Sequence, residues 1–134
     1  MRRKNCQHKM IPSSVLALAL SLLCASGCLQ DSNLFSGVPD LLQPLNGQVL
    51  TETSPYFDWS DVAGATRYHL QVNSVQMGLA VIDKDNLMSS EYYAVEVLTP
   101  GDYQWQVQAG DDKNWGSWSV RWVFTIQQGI PVQR

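Results

Sequence analysis

Leu98-Thr99-Pro100-Gly101-Asp102-Tyr103-Gln104-Trp105-Gln106-Val107-Gln108-Ala109 decides the fold. Pro100-Gly101 marks a turn. From Asp102 the chain alternates without a break: Tyr103, Trp105, Val107 and Ala109 fall in one phase, and Asp102, Gln104, Gln106 and Gln108 in the other. A period of two places one set on each face of an extended chain, so the segment predicts a half-buried antiparallel strand.

The same pattern recurs outward from this stretch. Thr66–Asn73 puts Tyr68, Leu70 and Val72 on one face and Arg67, His69, Gln71 and Asn73 on the other. Trp118–Ile126 predicts a last strand with Trp118, Val120, Trp122, Phe124 and Ile126 in the inward phase. Tyr56-Phe57-Asp58-Trp59 reads as a short strand with Phe57 and Trp59 inward, and Leu79–Ile82 as a short apolar one. Glu91–Val97 reads as a strand with Tyr93, Val95 and Val97 on its core face. Pro39–Leu45, apolar between two prolines, suits an edge strand. Asn46-Gly47 and Val62–Ala65 are turns, Asp83–Asn86 a polar turn, and Asp111–Asn114 an exposed hairpin loop. Nothing after Cys28 shows helical periodicity as strong. About seven strands in roughly 90 residues predict an all-β, two-sheet sandwich.

The first residues carry a different message. Met1–Lys9 holds Arg2, Arg3, Lys4 and Lys9 and no acid, Val15–Leu23 is nearly all apolar, and Ala25-Ser26-Gly27 leads into Cys28. This is a charged leader, a short apolar region and a small-residue cleavage site. The apolar run falls short of the roughly 20 residues a spanning helix needs. The order of features resembles a bacterial lipoprotein signal, with Ala25 where the lipobox usually has Leu. The resemblance implies cleavage after Gly27 and acylation of Cys28. The alternative is an ordinary secretory signal cut near Ala25 or Gly27, with Cys28 a free thiol.

On this reading residues 1–27 are a signal peptide, 28–38 a lipidated tether, 39–127 one domain and 128–134 a C-terminal tail. The tether is polar and glycine-containing, and about ten extended residues reach some 33 Å. Within it Leu34 and Phe35 either dock on the domain or lie at the membrane interface. All twelve acidic residues follow Cys28, against five basic ones, so the net charge moves from −3 for the whole chain to −7 after cleavage. Nucleic acid is excluded as a partner by that balance. Anionic headgroups would repel such a domain, so attachment falls to the lipid. Cys28 would be the last cysteine left, so packing alone must hold the core.

From Pro39 to Ile126 the strand stretches together resemble a fibronectin type III-like domain, as found in many bacterial secreted and surface proteins. Carrying the resemblance are Phe57-Asp58-Trp59, Gly64–Val72, Leu98–Ala109, Trp115-Gly116-Ser117-Trp118-Ser119 and Phe124-Thr125-Ile126. It implies an immunoglobulin-like sandwich in which Trp59 fills the core and Tyr103 makes a corner hydrogen bond to the backbone. Both rings would need a partner for one polar atom. Trp115–Ser119 is also similar to the Trp-Ser-x-Trp-Ser element of cytokine receptor domains, where tryptophans interleave with arginines. Here the second position is Gly116, the neighbouring strand offers Gln104, Gln106 and Gln108, and Arg67 and Arg121 are the candidates for cation–π stacking.

Catalytic chemistry finds little support. His69 is the one histidine after the leader and falls on an outward phase. No Gly-x-Ser-x-Gly element and no zinc-type Cys/His cluster is present. Asp83–Asn86 lacks the glycine and terminal glutamate of a calcium loop. We therefore expect no catalytic residues, no metal and no cofactor.

Trp115 is the one tryptophan that the alternation leaves outside, beside Asp111 and Asn114. These three, with the out-of-phase Tyr92 and Tyr56, form the candidate binding set. The expected function is a lipid-anchored, non-catalytic binding or assembly module of the bacterial cell envelope, with another envelope protein as partner. A carbohydrate-binding surface module, reading peptidoglycan or exopolysaccharide, is the alternative, and a small hydrolase the third reading. Leu29 after Cys28 points to the outer membrane if the host is Gram-negative.

Overall fold

The strand predicted from Asp102–Ala109 is the spine of the domain. In the computed structural model, which describes residues 35–130 and 133, it is β7, Gly101–Gly110. The chain order is β1 (Leu41–Gln43), β2 (Gln48–Leu50), β3 (Tyr56–Trp59), β4 (Arg67–Ser74), β5 (Leu79–Leu87), β6 (Glu91–Tyr93), β7, β8 (Trp115–Trp118) and β9 (Trp122–Ile126). β4 pairs antiparallel with β7 along its whole length, from Arg67↔Gly110 to Ser74↔Tyr103. The other rim of β7 is shared by β8 and β9. The larger sheet runs β2-β9-β7-β4-β5, with β8 attached to β7, and the smaller runs β1-β3-β6. The described residues form an all-β, two-sheet sandwich.

Its core is the inward phase of both sheets. Phe57 and Trp59 from the small sheet meet Leu70, Val72, Tyr103, Trp105, Val107, Phe124 and Ile126 from the large one. Phe57 packs edge-on to Trp105 at 5.2 Å and to Phe124 at 5.8 Å, and Tyr103 stacks on Phe124 at 5.4 Å. Such edge and offset arrangements match the charge distribution of the rings. The Tyr103 hydroxyl donates to the Thr99 carbonyl at 2.7 Å, the expected corner bond. Trp59 behaves differently. Its ring is buried as expected, but its indole N–H, like that of Trp105, has no partner.

Two strand phases differ from expectation. Along β6 and the residues after it, Tyr92, Ala94 and Leu98 turn inward while Tyr93, Val95 and Val97 are exposed. The alternation from 91 to 98 offers two nearly equivalent apolar faces. Pairing settles the matter, because buried Phe57 lies opposite Tyr92 and cross-strand neighbours share a face. Glu96 falls on the inward phase and is satisfied there by Lys84 Nζ at 2.9 Å and by the Tyr92 hydroxyl at 2.9 Å. Burial pushes its carboxyl up, but those bonds outweigh burial and hold it below the usual range.

The last strand is broken in two. A register shift between Gln108 and Gly110 turns Trp118 to the outer face, and Val120, expected inside, is exposed. Ser119 bridges the break: its N–H donates to the Val107 carbonyl at 2.7 Å, and its hydroxyl accepts the Val107 N–H at 3.0 Å. β5 is also longer than the expected Leu79–Ile82, so Asp83–Asn86 lies within a strand and not in a turn. At the start, Phe35 docks on the domain, partly buried against the core cluster.

Trp59→Ala should cost about 3–5 kcal/mol through the cavity it leaves. Tyr103→Phe should cost about 1–2 kcal/mol, since it orphans the Thr99 carbonyl while leaving the ring in place. Urea unfolding of each variant, with an unchanged m-value, checks both.

Candidate functional site

β4 and β7 set the site by register. Arg67 lies opposite Gly110 and His69 opposite Gln108, so these two of the outward side chains of β4 face the rim where β8 attaches. β8 then brings two tryptophans across this surface. The Arg67 guanidinium carbon lies 4.3 Å from the Trp115 ring centre. The His69 ring sits 5.7 Å from Trp115 and 4.8 Å from Trp118. The result is a continuous outer layer of Arg67, Trp115, His69 and Trp118.

Close approach is what seats Trp115. A Cβ at Gly110 would stand 2.7 Å from Trp115 Cε3 and 2.8 Å from the Asn114 carbonyl, so only glycine lets the ring lie down on the strand. Gly116 meets a second such constraint, since its Cβ would come within 2.6 Å of the Gly37 carbonyl and 3.0 Å of Phe35 Cδ1. The N-terminal segment therefore packs directly beside Trp115.

The loop before β8 is tied down by one carboxylate. Asp111 Oδ1 accepts the N–H of Asn114 at 2.6 Å and of Lys113 at 2.8 Å, while the Asp111 N–H donates to the Asn114 carbonyl at 3.0 Å. The Asn114 amide first, and the Lys113 amide second, hold the Asp111 carboxyl below the usual carboxylate range. Arg67 Nε donates to the Asp111 carbonyl at 3.0 Å, and the Thr66 hydroxyl to Asp112 at 2.9 Å, joining the loop to β4.

Below the rings, the outward glutamines of β7 are covered. Gln106 donates to Gln71 at 3.0 Å and receives Arg121 Nε at 3.4 Å, and Gln108 lies 3.3 Å from His69 Nδ1. The other ring nitrogen of His69 is bonded to Asp83. Both ring nitrogens of His69 thus face partners within the layer. Among the described residues no three His, Cys, Asp or Glu side chains converge as a metal would require.

Of the candidate set, the structure joins Trp115, Asp111 and Asn114 and separates them from Tyr56 and Tyr92. Trp115 is half-buried and belongs to a strand, not a loop. Tyr92 is not a surface aromatic, because it faces the core and bonds Glu96. Tyr56 lies on the other sheet's outer face, where its hydroxyl donates to Glu91 at 2.8 Å. Cys28 lies outside the described residues. Of the two arginines expected to stack on this element, Arg67 does so and Arg121 instead donates to Gln106, while His69 and Trp118 join the site although the sequence reading leaves them out of it. An arginine and a histidine two apart, on a strand with two later tryptophans, is the signal that could have found them.

No protein-family model matches this chain, and no curated protein matches it significantly. Solved structures do. An Fn3-like protein from Clostridium thermocellum is 18% identical, over 70% of this chain and 94% of its own, with a TM-score of 0.51. The FN5 domain of Drosophila Lar is 21% identical, over 71% and 100%, with a TM-score of 0.53. FN3tt is 16% identical, over 71% and 100%, with a TM-score of 0.51. These likenesses carry the fold: the chain contains a fibronectin type III-like domain.

Trp115→Ala should cost about 1–2 kcal/mol, combining a cation–π contact with partial burial, and so less than Trp59→Ala. Matched thermal melts compare them. For Asp111 the lowered pKa means that its contribution is present above the unfolded value near about pH 4 and is lost as pH falls through the folded value. The Lys113 and Asn114 amide resonances should hold their positions down to about pH 4 and shift below it. Asp111→Asn should abolish that transition.

Proposed function

We propose that this chain is a lipid-anchored, non-catalytic binding or assembly module of a bacterial cell envelope, and that its partner is another envelope protein. The observation that carries the binding reading is the Arg67–Trp115–His69–Trp118 layer. Tryptophan and arginine are the residues most often found at the centre of protein contacts, and here a strand register and two glycines hold them in place. Support for the anchor comes from the basic leader, the apolar run and the small residues before Cys28. The close approach of Gly116 to the Gly37 carbonyl seats the ring layer beside the start of the described domain.

The carbohydrate reading draws on the same rings, since Trp115 and Trp118 stand among amides and carboxylates. Protein is favoured because Trp115 is already engaged by Arg67, His69 and Gly110. A sugar platform uses a barer face. A hydrolase is disfavoured because both His69 nitrogens face partners within the layer.

Growth with a clickable fatty acid tests the anchor. Label should appear on the wild type and vanish from Cys28→Ser, and persistent label would sink the proposal. In a Gram-negative host the labelled protein should fractionate with the outer membrane. A photo-crosslinker at position 118 should then trap one discrete envelope protein, with the adduct reduced in Arg67→Glu. Binding to purified peptidoglycan that is lost in Trp115→Ala would transfer the function to the carbohydrate reading.

A further inference from the structure

The small sheet offers a second, unrelated surface. β6 is the last strand of the order β1-β3-β6. The Trp59 N–H donates to the Ser90 carbonyl, the Ala94 N–H to the Pro55 carbonyl and the Leu98 N–H to the Thr53 carbonyl. Even-numbered positions thus bond inward to the neighbouring chain. In an antiparallel ladder the intervening residues point their N–H and C=O the other way, so Glu91 and Tyr93 direct theirs to the open edge.

The side chains at those odd positions are also outward. Tyr93 is 68% exposed, Val95 80% and Val97 74%, three successive apolar residues along one edge. Tyr56 extends the patch across β3, its ring 4.4 Å from Tyr93. Natural edge strands are blunted by shortness, lysine, proline or a bulge, and of these β6 shows only the first, at three residues. Between Glu91 and Leu98 the sequence has neither residue, and β3–β6 pairing keeps a regular register.

Charge identifies the occupant. Asp58 lies directly opposite Glu91 on this face. Like charges so placed are destabilising. Glu91 takes the Tyr56 hydroxyl, which raises the Tyr56 pKa to about 12, with burial and the Asp58 charge adding to it. Among the described residues neither Asp58 nor Glu91 has an ion pair. Of the described cations, Lys84 is held by Glu96, Lys113 lies in the Asp111 loop, and Arg67 and Arg121 lie on the other sheet. The described residues of a second copy, set against this edge by the same strand, would add more carboxylates and no cation.

We propose that the β6 edge, with Tyr56, Asp58, Glu91, Tyr93, Val95 and Val97, receives an extended basic segment of another protein as an added strand. Main-chain bonds along Glu91–Tyr93 hold the segment. Its cations sit against Asp58 and Glu91, and its apolar residues cover Tyr93, Val95 and Val97.

The probe is a fluorescein-labelled peptide whose alternate residues are valine, valine, valine, lysine, lysine, with threonine between them. The control carries glutamate in place of lysine. Anisotropy titration of the full chain should give saturable binding of the basic peptide that weakens with added salt, and none of the control. Asp58→Asn with Glu91→Gln should weaken binding about tenfold. Tyr93→Pro should abolish it while leaving the fold intact, since that N–H faces away from β3. Tyr93→Lys serves the same purpose if the proline variant fails to fold. Trp115→Ala should bind the peptide normally, which separates this surface from the ring layer. Absence of saturable binding, equal binding of the control, or indifference to the Tyr93 variants overturns the proposal. So does a concentration-dependent dimer in sedimentation that Tyr93→Lys abolishes, because the edge would then belong to a second copy.

Discussion

The larger sheet is built around β7, and the smaller one packs its inward rings against it. Its rims carry β4 along one side and β8 with β9 along the other, so it places three other strands directly. Its inner phase supplies Tyr103, Trp105, Val107 and Ala109 to the core, and its outer phase supplies the glutamines over which the rings of β8 are laid. The described residues contain no cysteine, so this strand and its packing do what a cross-link does in other small sandwiches. The Tyr103–Thr99 bond pins the point where the chain enters β7. The Ser119 bonds to Val107 pin the place where the opposing strand breaks.

The sequence is legible where burial leaves one answer. Asp102–Ala109 and Thr66–Asn73 have one apolar face each, and the structure has both strands in the expected phase. Glu91–Val97 misleads because Tyr92 and Tyr93 are adjacent rings, and either could be the inward one. The choice is made by Phe57 across the ladder, a non-local contact that no single segment contains. Trp118–Ile126 misleads for another reason. Its alternation looks continuous, but the register shift on β7 and the break at Ser119 reverse the phase partway. A period of two is informative only while pairing is uninterrupted.

The site shows the same division. That Trp115 stands apart from the sandwich interior is visible from its position outside the alternating set. A stacking arginine is also legible, and Arg67 supplies it; the rest of the array is not, because His69 occupies an outward phase that reads as solvent-facing. In the structure that phase is roofed: Gln106 and Gln108 are buried, and His69 lies between Trp118, Asp83 and Gln108. The outer layer is a small polar and aromatic core of its own, held together by hydrogen bonds and ring contacts. Gly110 and Gly116 make it possible by letting a ring and a neighbouring backbone approach where a methyl group would collide.

The central claim is that β7 is the element whose loss is loss of the whole fold, with the ring layer added on top of it. Native-state hydrogen exchange across increasing denaturant measures this directly. Amides of Tyr103–Ala109 should exchange only through global unfolding, and they should still do so in Trp115→Ala, while amides of β1 and β6 open locally at lower free energy. Exchange of the β7 amides through local opening, ahead of those of β1 and β6, would contradict the account.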